Sequence, residues 1–301
     1  MCYVGSIDNY KRVNYTNAKE LITSGYFNVT RRSFFYAHGY RGSLSTQGTN
    51  VITEAILKTF DWNMCAIDYE KEANIGMIPF LNFPAVVAAA YVVQRELAEA
   101  LKILWQNGMK PENVHMAGLS MGAHVCGNAA RSFSQSTGHP IARCTGFDPA
   151  KPSFDGSVTL TPRIDQTCAD FVDIIHTDTN RYGMSTPTGH VDYFANLIEY
   201  KEKGVQPGCL PVNLFLRPAL TPEDACSHRR SLDLGIEAYL RNNSLQAAKA
   251  SSEDEWASPG FGATVTAILG LNTDQTLRGK FYFRTADRPP YGLGEAGLTA
   301  Q

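Results

Sequence analysis

The chain has 301 residues, of which 44% are hydrophobic and 19% charged, and its formal net charge is −2. This composition is typical of a globular protein with enough apolar material for a sizeable core, and the small net charge gives no electrostatic reason to expect a nucleic-acid partner. No repeat or low-complexity tract interrupts the chain, so we expect a single domain over residues 1–301.

The predicted elements alternate between strands and helices. In chain order the patterns predict strands over 33–38, 63–69, 113–118, 141–147 and 171–177, and helices over 50–60, 84–107 and 121–133. This alternation predicts an α/β fold with a mostly parallel sheet and helices on both faces. The apolar stretch 77–93 contains Pro79, Asn82 and Pro84, so we expect an entry loop and a buried helix there, not a membrane span. No signal peptide is visible at the N-terminus.

The pattern G-x-S-x-G occurs at Gly118, Ser120 and Gly122, between a predicted strand and a predicted helix. In such a turn the serine hydroxyl projects at the carboxyl edge of the sheet, and the helix N-terminus favours a developing negative charge. Ser120 is therefore a candidate nucleophile, provided that the chain also supplies a base. The alternative is a helix start in which the serine only packs.

An ester-cleaving serine also needs two N–H donors for the oxyanion. One is the backbone N–H of the residue that follows the nucleophile, Met121. The second is expected from an early loop of the sheet, where a predicted strand breaks at His38-Gly39 and offers the N–H of Tyr40. An ordinary turn at this position is the alternative.

Two aspartates and two histidines are candidates for the acid and the base. Asp148 and Asp178 each follow a predicted strand after the serine, and their positions alone do not separate them. Pro149 forces a turn directly after Asp148, which favours a fixed, outward-pointing carboxylate there. Of the later histidines, His190 begins a strand-like run, whereas His228 lies at a loop-to-helix junction that suits a base. We expect core or solvent roles for the remaining histidines, His115, His124, His139 and His176.

Seven cysteines show no C-x-x-C pair and no zinc-ligand spacing, and no motif for a metal or an organic cofactor is present. Buried thiols and a loose disulfide framework both remain open. Three Asn-x-Ser/Thr sites, at Asn14, Asn28 and Asn242, favour secretion slightly.

Taken together, these segments resemble the pancreatic lipase family of α/β-hydrolases, including its insect lipases and venom phospholipases. The resemblance is carried, in order, by "FFYAHGYRG", "VHMAGLSMGAHVCG", "TGFDPAKPSF", "ADFVDIIHTD", "PTGHVDYF", "QPGC", "ACSHRRS" and "LRGKFYFRT". It implies an α/β-hydrolase fold. The C-terminal β-sandwich domain of the vertebrate lipases has no counterpart in the sequence, so no colipase is expected as a partner.

The resemblance also assigns roles to the candidate residues. It implies that Ser120 is the nucleophile, that Asp148 rather than Asp178 is the acid, and that His228 is the base. The oxyanion donors match the positions of Tyr40 and Met121.

Disulfide pairs follow from the resemblance alone. It implies that Cys209 and Cys226 bridge the base of a lid within 209–226, in which Leu214, Phe215 and Leu216 contact lipid. It further implies that Cys2 bonds Cys65, and that Cys126 and Cys144 lie close enough to pair, which leaves Cys168 over.

The function implied is that of a secreted carboxylic ester hydrolase, a triacylglycerol lipase or an sn-1 phospholipase, that acts through an acyl-enzyme at a membrane or lipid-droplet surface without a cofactor. In the family, a short lid and a short loop before "GHVDYF" go with phospholipase or galactolipase preference. One alternative is a lipid-binding or yolk-type storage protein with weak or no activity. Another is a carboxylesterase or peptidase with the same three residues.

Overall fold

The computed structural model describes residues 1–75, 83–155, 162–179, 181–211 and 221–300. These residues form two compact units, each described by itself. The first unit consists of residues 1–146 and 152–172, and the second of residues 147–151 and 173–301. The single catalytic domain expected from the sequence stays a prediction.

The first unit is built on a sheet with strand order β2-β1-β4-β3-β5-β6. Strand β3 runs parallel to both β4 and β5, while β1 runs antiparallel to β2 and β4. The elements are β1 (Cys2–Val4), β2 (Ser6–Lys11), α1 (Lys19–Thr23), β3 (Ser33–Ala37), α2 (Gln47–Thr59), β4 (Asn63–Ile67), α3 (Glu70–Ala73), α4 (Phe83–Gln106), β5 (Val114–Leu119), α5 (Met121–Thr137) and β6 (Arg143–Phe147).

The central strands of the first unit are buried along their whole length. Every residue of β3, with the sequence SFFYA, and of β4, with the sequence NMCAI, is buried, as expected for parallel strands covered by helices on both faces. Helix α5 ends at Thr137 and is followed by Gly138, whose φ of 76° places it in the left-handed conformation that commonly terminates helices. Helices α4 and α5 are in contact through Trp105 and Phe133, whose ring centroids lie 6.2 Å apart.

The second unit has the strand order β10-β9-β11-β8-β7. Strand β8 runs parallel to β7 and β11, and β9 runs antiparallel to β10 and β11. Its elements are β7 (Phe171–His176), β8 (Val191–Ala195), α6 (Leu197–Lys203), α7 (Cys226–Leu240), β9 (Gln246–Lys249), α8 (Glu253–Trp256), β10 (Thr266–Ile268) and β11 (Gly279–Phe283). The predicted mostly parallel sheet with helices is confirmed.

Most predicted elements are present with ends shifted by a few residues. The helix predicted over 50–60 begins earlier, at Gln47, and the helix predicted from 121 continues to Thr137. The predicted entry loop lies mostly outside the described residues, and the helix expected after it is α4. No helix in the described part of the chain is long and apolar enough to cross a membrane.

Two disulfides are present among the described residues, Cys2–Cys65 and Cys209–Cys226. The predicted Cys126–Cys144 bond is wrong, because Cys126 is a free thiol. Its Sγ faces strand β5 and donates to the carbonyl oxygen of Ala117 at 3.2 Å. Burial raises the pKa of this thiol to about 12, so it stays protonated at neutral pH. Cys168 is also a buried free thiol.

Candidate active site

Ser120 lies on a sharp turn between β5 and α5. Strand β5 ends at Leu119 and helix α5 begins at Met121, so a single residue connects the two elements. The φ and ψ angles of Ser120 are 58° and −122°, a backbone conformation that side-chain-bearing residues rarely adopt. Such strain persists only where the surroundings enforce it, and it is common at functional sites.

Two glycines make this turn possible. A Cβ atom added to Gly118 would lie 2.2 Å from the carbonyl carbon of Gly122, and one added to Gly122 would lie 2.2 Å from the carbonyl oxygen of Ala37. Both contacts are with backbone, which cannot move aside as a flexible side chain can. The glycines therefore allow β5, α5 and the end of β3 to approach closely around Ser120.

The loop that follows β3 passes directly beside the serine. A Cβ atom added to Gly39 would lie 3.1 Å from Cβ and 3.7 Å from Oγ of Ser120, and Tyr40 is the next residue. The Tyr69 hydroxyl donates to the carbonyl oxygen of His38, and the two rings stack with centroids 4.3 Å apart. The loop that carries the candidate donor Tyr40 is thus fixed by a buried tyrosine that we did not single out from the sequence.

Asp148 and His228 form a buried hydrogen-bonded pair in the second unit. Oδ2 of Asp148 lies 2.6 Å from Nδ1 of His228. Its other oxygen, Oδ1, accepts the backbone N–H groups of Thr177 at 2.8 Å and Asp178 at 3.1 Å. Asp148 has a φ of 42° and is fully buried. Its carboxylate is therefore fixed, as expected beside Pro149, but it is enclosed and not outward-pointing.

A glycine closes the space beside the Asp148 carboxylate. A Cβ atom added to Gly183 would lie 2.2 Å from Oδ2 of Asp148. The N–H of Gly183 donates to the carbonyl oxygen of Asp178 at 3.0 Å. The sequence shows this residue only as a glycine in the loop after β7, and its position against the acid depends on tertiary structure.

Asp178 lies beside the pair and does not replace Asp148 in it. Its carboxylate accepts the Tyr200 hydroxyl on one oxygen and the Tyr182 N–H on the other. Burial, with a further contribution from the negative charge of Asp148, raises the pKa of Asp178 from 3.8 to about 6. Of the two aspartates that the sequence left open, Asp148 is therefore the one that hydrogen-bonds His228.

The electrostatic surroundings of His228 favour its protonated form. Burial acts to lower the pKa of His228, but the hydrogen bond and charge of Asp148, together with the charge of Asp178, outweigh burial and raise that pKa above 6.5. The carboxylate accepts at Nδ1, so a neutral His228 carries its proton there and leaves Nε2 able to accept a proton.

His228 is the third residue of helix α7, in its first turn, where the sequence predicts a loop-to-helix junction. The disulfide of Cys226 fixes the start of this helix. Just before it, the Asp224 carboxylate accepts the guanidinium of Arg181 and the hydroxyl of Tyr182. These contacts connect the start of α7 with the loop after β7, on which Gly183 lies.

The remaining histidines lie away from the Asp148–His228 pair or serve other contacts. His115 contacts the hydroxyl of Thr145 at 2.8 Å, and His124 accepts the N–H of Ile164 at 3.2 Å. His139 is exposed, and the carbonyl oxygen of His190 accepts the N–H of Gly279. His176 is hydrogen-bonded to Asp192 at 2.8 Å.

One group of side chains in the described part of the chain could hold a metal ion, and it consists of Asp148, Asp178 and His228. Their polar atoms already bond one another or neighbouring donors, because Nδ1 of His228 is used by Asp148 and Oδ1 of Asp148 by two N–H groups. These hydrogen bonds compete with the binding of an ion by Asp148 and by Nδ1 of His228. The predicted lid residues Leu214, Phe215 and Leu216 lie outside the described residues.

Comparison with known proteins agrees with these features. The chain is 32% identical to pancreatic triacylglycerol lipase of Myocastor coypus over 94% of its length, covering 63% of that protein. It is 29% identical to lipase member H of Oryctolagus cuniculus over 94% of its length, covering 62% of that protein. It is 34% identical to lipase member H-B of Xenopus laevis over 73% of its length, covering 44% of that protein.

The chain thus spans about half to three fifths of the length of these relatives. The model of the Lipase family matches residues 5–291, nearly the whole chain. The resemblance inferred from the sequence motifs is confirmed, and this chain belongs to the Lipase family.

Proposed function

We propose that this chain is a carboxylic ester hydrolase that cleaves lipid esters through an acyl-enzyme on Ser120. The observation that carries the proposal is the hydrogen bond between Asp148 and His228, in which a doubly anchored carboxylate orients a buried imidazole. The strained turn at Ser120 supports it, because such turns present a nucleophilic hydroxyl.

In the proposed mechanism Ser120 Oγ attacks the ester carbonyl carbon while Nε2 of His228 takes the hydroxyl proton. Asp148 holds the imidazole in the required tautomer and stabilises its charged form. The N–H groups of Tyr40 and Met121 stabilise the oxyanion, and loss of one such donor typically costs about 3 kcal/mol of barrier. His228 then donates its proton to the leaving alcohol. Water next attacks the acyl-enzyme in the same way, with His228 as its base, and releases the carboxylic acid and free Ser120.

The substrate class rests on the family and on the disulfide that encloses residues 210–225. The coypu relative is by name a triacylglycerol lipase. The short loops inferred from the sequence favour a phospholipid over a triacylglycerol. Two disulfides also suit an oxidising compartment, so we propose that the protein is secreted and acts at a lipid surface.

The test compares hydrolysis of phosphatidylcholine vesicles, a triacylglycerol emulsion and a short soluble ester by the wild type, Ser120→Ala and Ser136→Ala. Ser136 lies near the end of α5 and donates only locally, to the carbonyl oxygen of Phe133, so its variant is a matched control. We expect Ser120→Ala to lose about 10⁶-fold in kcat and Ser136→Ala to retain wild-type activity.

Labelling with a fluorophosphonate distinguishes the enzyme from a storage protein. We expect the reagent to modify Ser120 in the folded wild type. A folded protein that hydrolyses none of the three substrates and remains unlabelled at Ser120 is a lipid-binding or storage protein. A clear preference for triacylglycerol would contradict the substrate preference inferred from the short loops.

A further inference from the structure

His176, at the end of β7, has hydrogen-bond acceptors on both sides of its ring. Nε2 lies 2.8 Å from Oδ1 of Asp192, and Nδ1 lies 3.0 Å from the carbonyl oxygen of Met184. A carbonyl oxygen can only accept, so Nδ1 must carry a proton. The ring is buried and stacks on Phe194 with centroids 4.4 Å apart, so water does not provide alternative partners.

The second proton of the pair belongs on the imidazole. Asp192 also accepts the N–H groups of Thr188 at 3.1 Å on Oδ1 and Gly189 at 3.0 Å on Oδ2, so both of its oxygens are used as acceptors. An imidazole is also the stronger base of the two groups under ordinary conditions. Nε2 therefore donates to a charged carboxylate, and both ring nitrogens are protonated.

This histidine bonds the loop that packs against the acid of the proposed mechanism. Met184, whose carbonyl oxygen accepts from His176, also donates its N–H to the carbonyl oxygen of Pro149 at 2.8 Å. The preceding residue is Gly183, which lies against the Asp148 carboxylate. One side chain thus connects β7, β8 and the loop 182–184 around Asp148.

The charged groups that face the His176 ring are Asp192 on β8 and Asp148 at the end of β6. Burial acts to lower the pKa of His176, but the hydrogen bond and charge of Asp192 and the charge of Asp148 outweigh it and raise that pKa above 6.5. The remaining partner, the carbonyl of Met184, is neutral and acts in the same direction.

We propose that His176 is a buried imidazolium that positions the Asp148 loop and whose positive charge offsets the negative charge beside His228. It is a positioning residue, because it contacts the loop and not the reacting atoms. The proposal rests on the proposed function for its kinetic part only, since the charge of His176 is a property of the folded protein.

The charge is tested first, by nuclear magnetic resonance of the full chain labelled with ¹⁵N-histidine, with His176 assigned by comparison with His176→Gln. At pH 7, where an unperturbed histidine is mostly neutral, we expect both ring nitrogens of His176 to carry protons. In Asp192→Asn, His176 should lose its proton at lower pH than in the wild type. A neutral His176 ring in the wild type at pH 7 overturns the proposal, whether or not the protein hydrolyses esters.

The kinetic consequence is tested by the pH dependence of kcat/KM. Removing a positive charge near the pair favours protonation of His228, so the acid limb of His176→Gln should shift upward by a few tenths to about one pH unit. We expect kcat to fall about 10- to 100-fold from misplacement of the acid, with KM changing less than about threefold.

His115→Gln is the control, because His115 is also a buried strand histidine, hydrogen-bonded to Thr145, but lies in the first unit. Its acid limb should match that of the wild type. A folded His176→Gln protein with an unshifted acid limb overturns the proposal.

If His176→Gln does not fold, the titrations of the wild type and Asp192→Asn still decide the charge. Absence of all ester hydrolysis in the wild type rejects the proposed function and leaves the titration result standing.

Discussion

The turn at Ser120 and the Asp148–His228 pair are held in place by opposite means. Around Ser120 the backbone segments approach so closely that only glycine fits at positions 118 and 122. Around Asp148 the geometry is set by hydrogen bonds to a carboxylate and by charge. The turn is therefore sensitive to added volume and indifferent to pH, whereas the pair is sensitive to charge and responds to pH.

Asp148→Asn is the variant with the largest expected effect, and it tests the pair alone. Asparagine has nearly the same shape and tolerates a positive φ such as the 42° of Asp148, so the fold should persist. It lacks the negative charge and cannot hold the imidazole in the required tautomer, so we expect kcat to fall about 10⁴-fold. Circular dichroism checks the fold, and a kcat within tenfold of the wild type would contradict the role of Asp148.

Gly122→Ala tests the turn alone. The added methyl group would lie 2.2 Å from the carbonyl oxygen of Ala37, so the backbone must shift, and we expect a loss of about 3–5 kcal/mol in the free energy of unfolding. Urea titration measures this loss. Gly262→Ala is the control, because a Cβ there meets nothing within 4 Å, and it should stay within about 0.5 kcal/mol of the wild type. A similarly small effect at Gly122 would show that the turn is not closely packed.

The two disulfides extend the comparison, since one lies in each unit. Cys2–Cys65 spans 63 residues and Cys209–Cys226 spans 17. Loop entropy predicts losses of about 4 and about 3 kcal/mol respectively when each pair is changed to serine. Only the second change should also lower kcat, because α7 carries His228. Equal effects of the two changes on kcat would argue against this difference.

The smallest expected effect concerns the pH dependence of stability. The pKa of Asp178 is raised to about 6 in the fold and is near 3.9 in an unfolded chain. The fold therefore favours the protonated acid, and stability is lost as pH rises from about 4 to about 6. Asp178→Asn should escape this loss, gaining about 1–3 kcal/mol relative to the wild type over that range.

Urea unfolding at pH 4, 5, 6 and 7 measures the difference between Asp178→Asn and the wild type. Loss of the hydrogen bond from Tyr200 shifts the two curves by a constant amount and does not change their relative slope. Parallel curves across this range would show that burial does not raise the pKa of Asp178. The Gly122→Ala difference should, by contrast, be the same at every pH.

Much of the fold could be predicted from the sequence, because its inner strands are continuous apolar runs. Strands such as β3 and β4 are recognisable from five consecutive buried residues each, and the glycines around Ser120 mark the turn. Chain order limits the candidate acids to Asp148 and Asp178 and the candidate bases to His190 and His228. Local sequence carries each of these signals.

The rest depends on contacts between distant segments. Strand β9, with the sequence QAAK, has little intrinsic preference for a strand and forms one because it pairs with β10 and β11. The choice of Asp148 over Asp178 needed the resemblance, since both follow strands. The Cys126–Cys144 error arose because proximity of two elements says nothing about the direction in which a thiol points.

The backbone donors to Asp148 make its anchorage tolerant of sequence drift. Every residue except proline carries an N–H group, so almost any replacement at position 177 would keep the hydrogen bond to Oδ1 of Asp148. Only a proline removes that donor outright. The position of the Asp148 carboxylate therefore depends on the path of the backbone and tolerates substitution at position 177. The turn at Ser120, by contrast, does not tolerate substitution of its glycines.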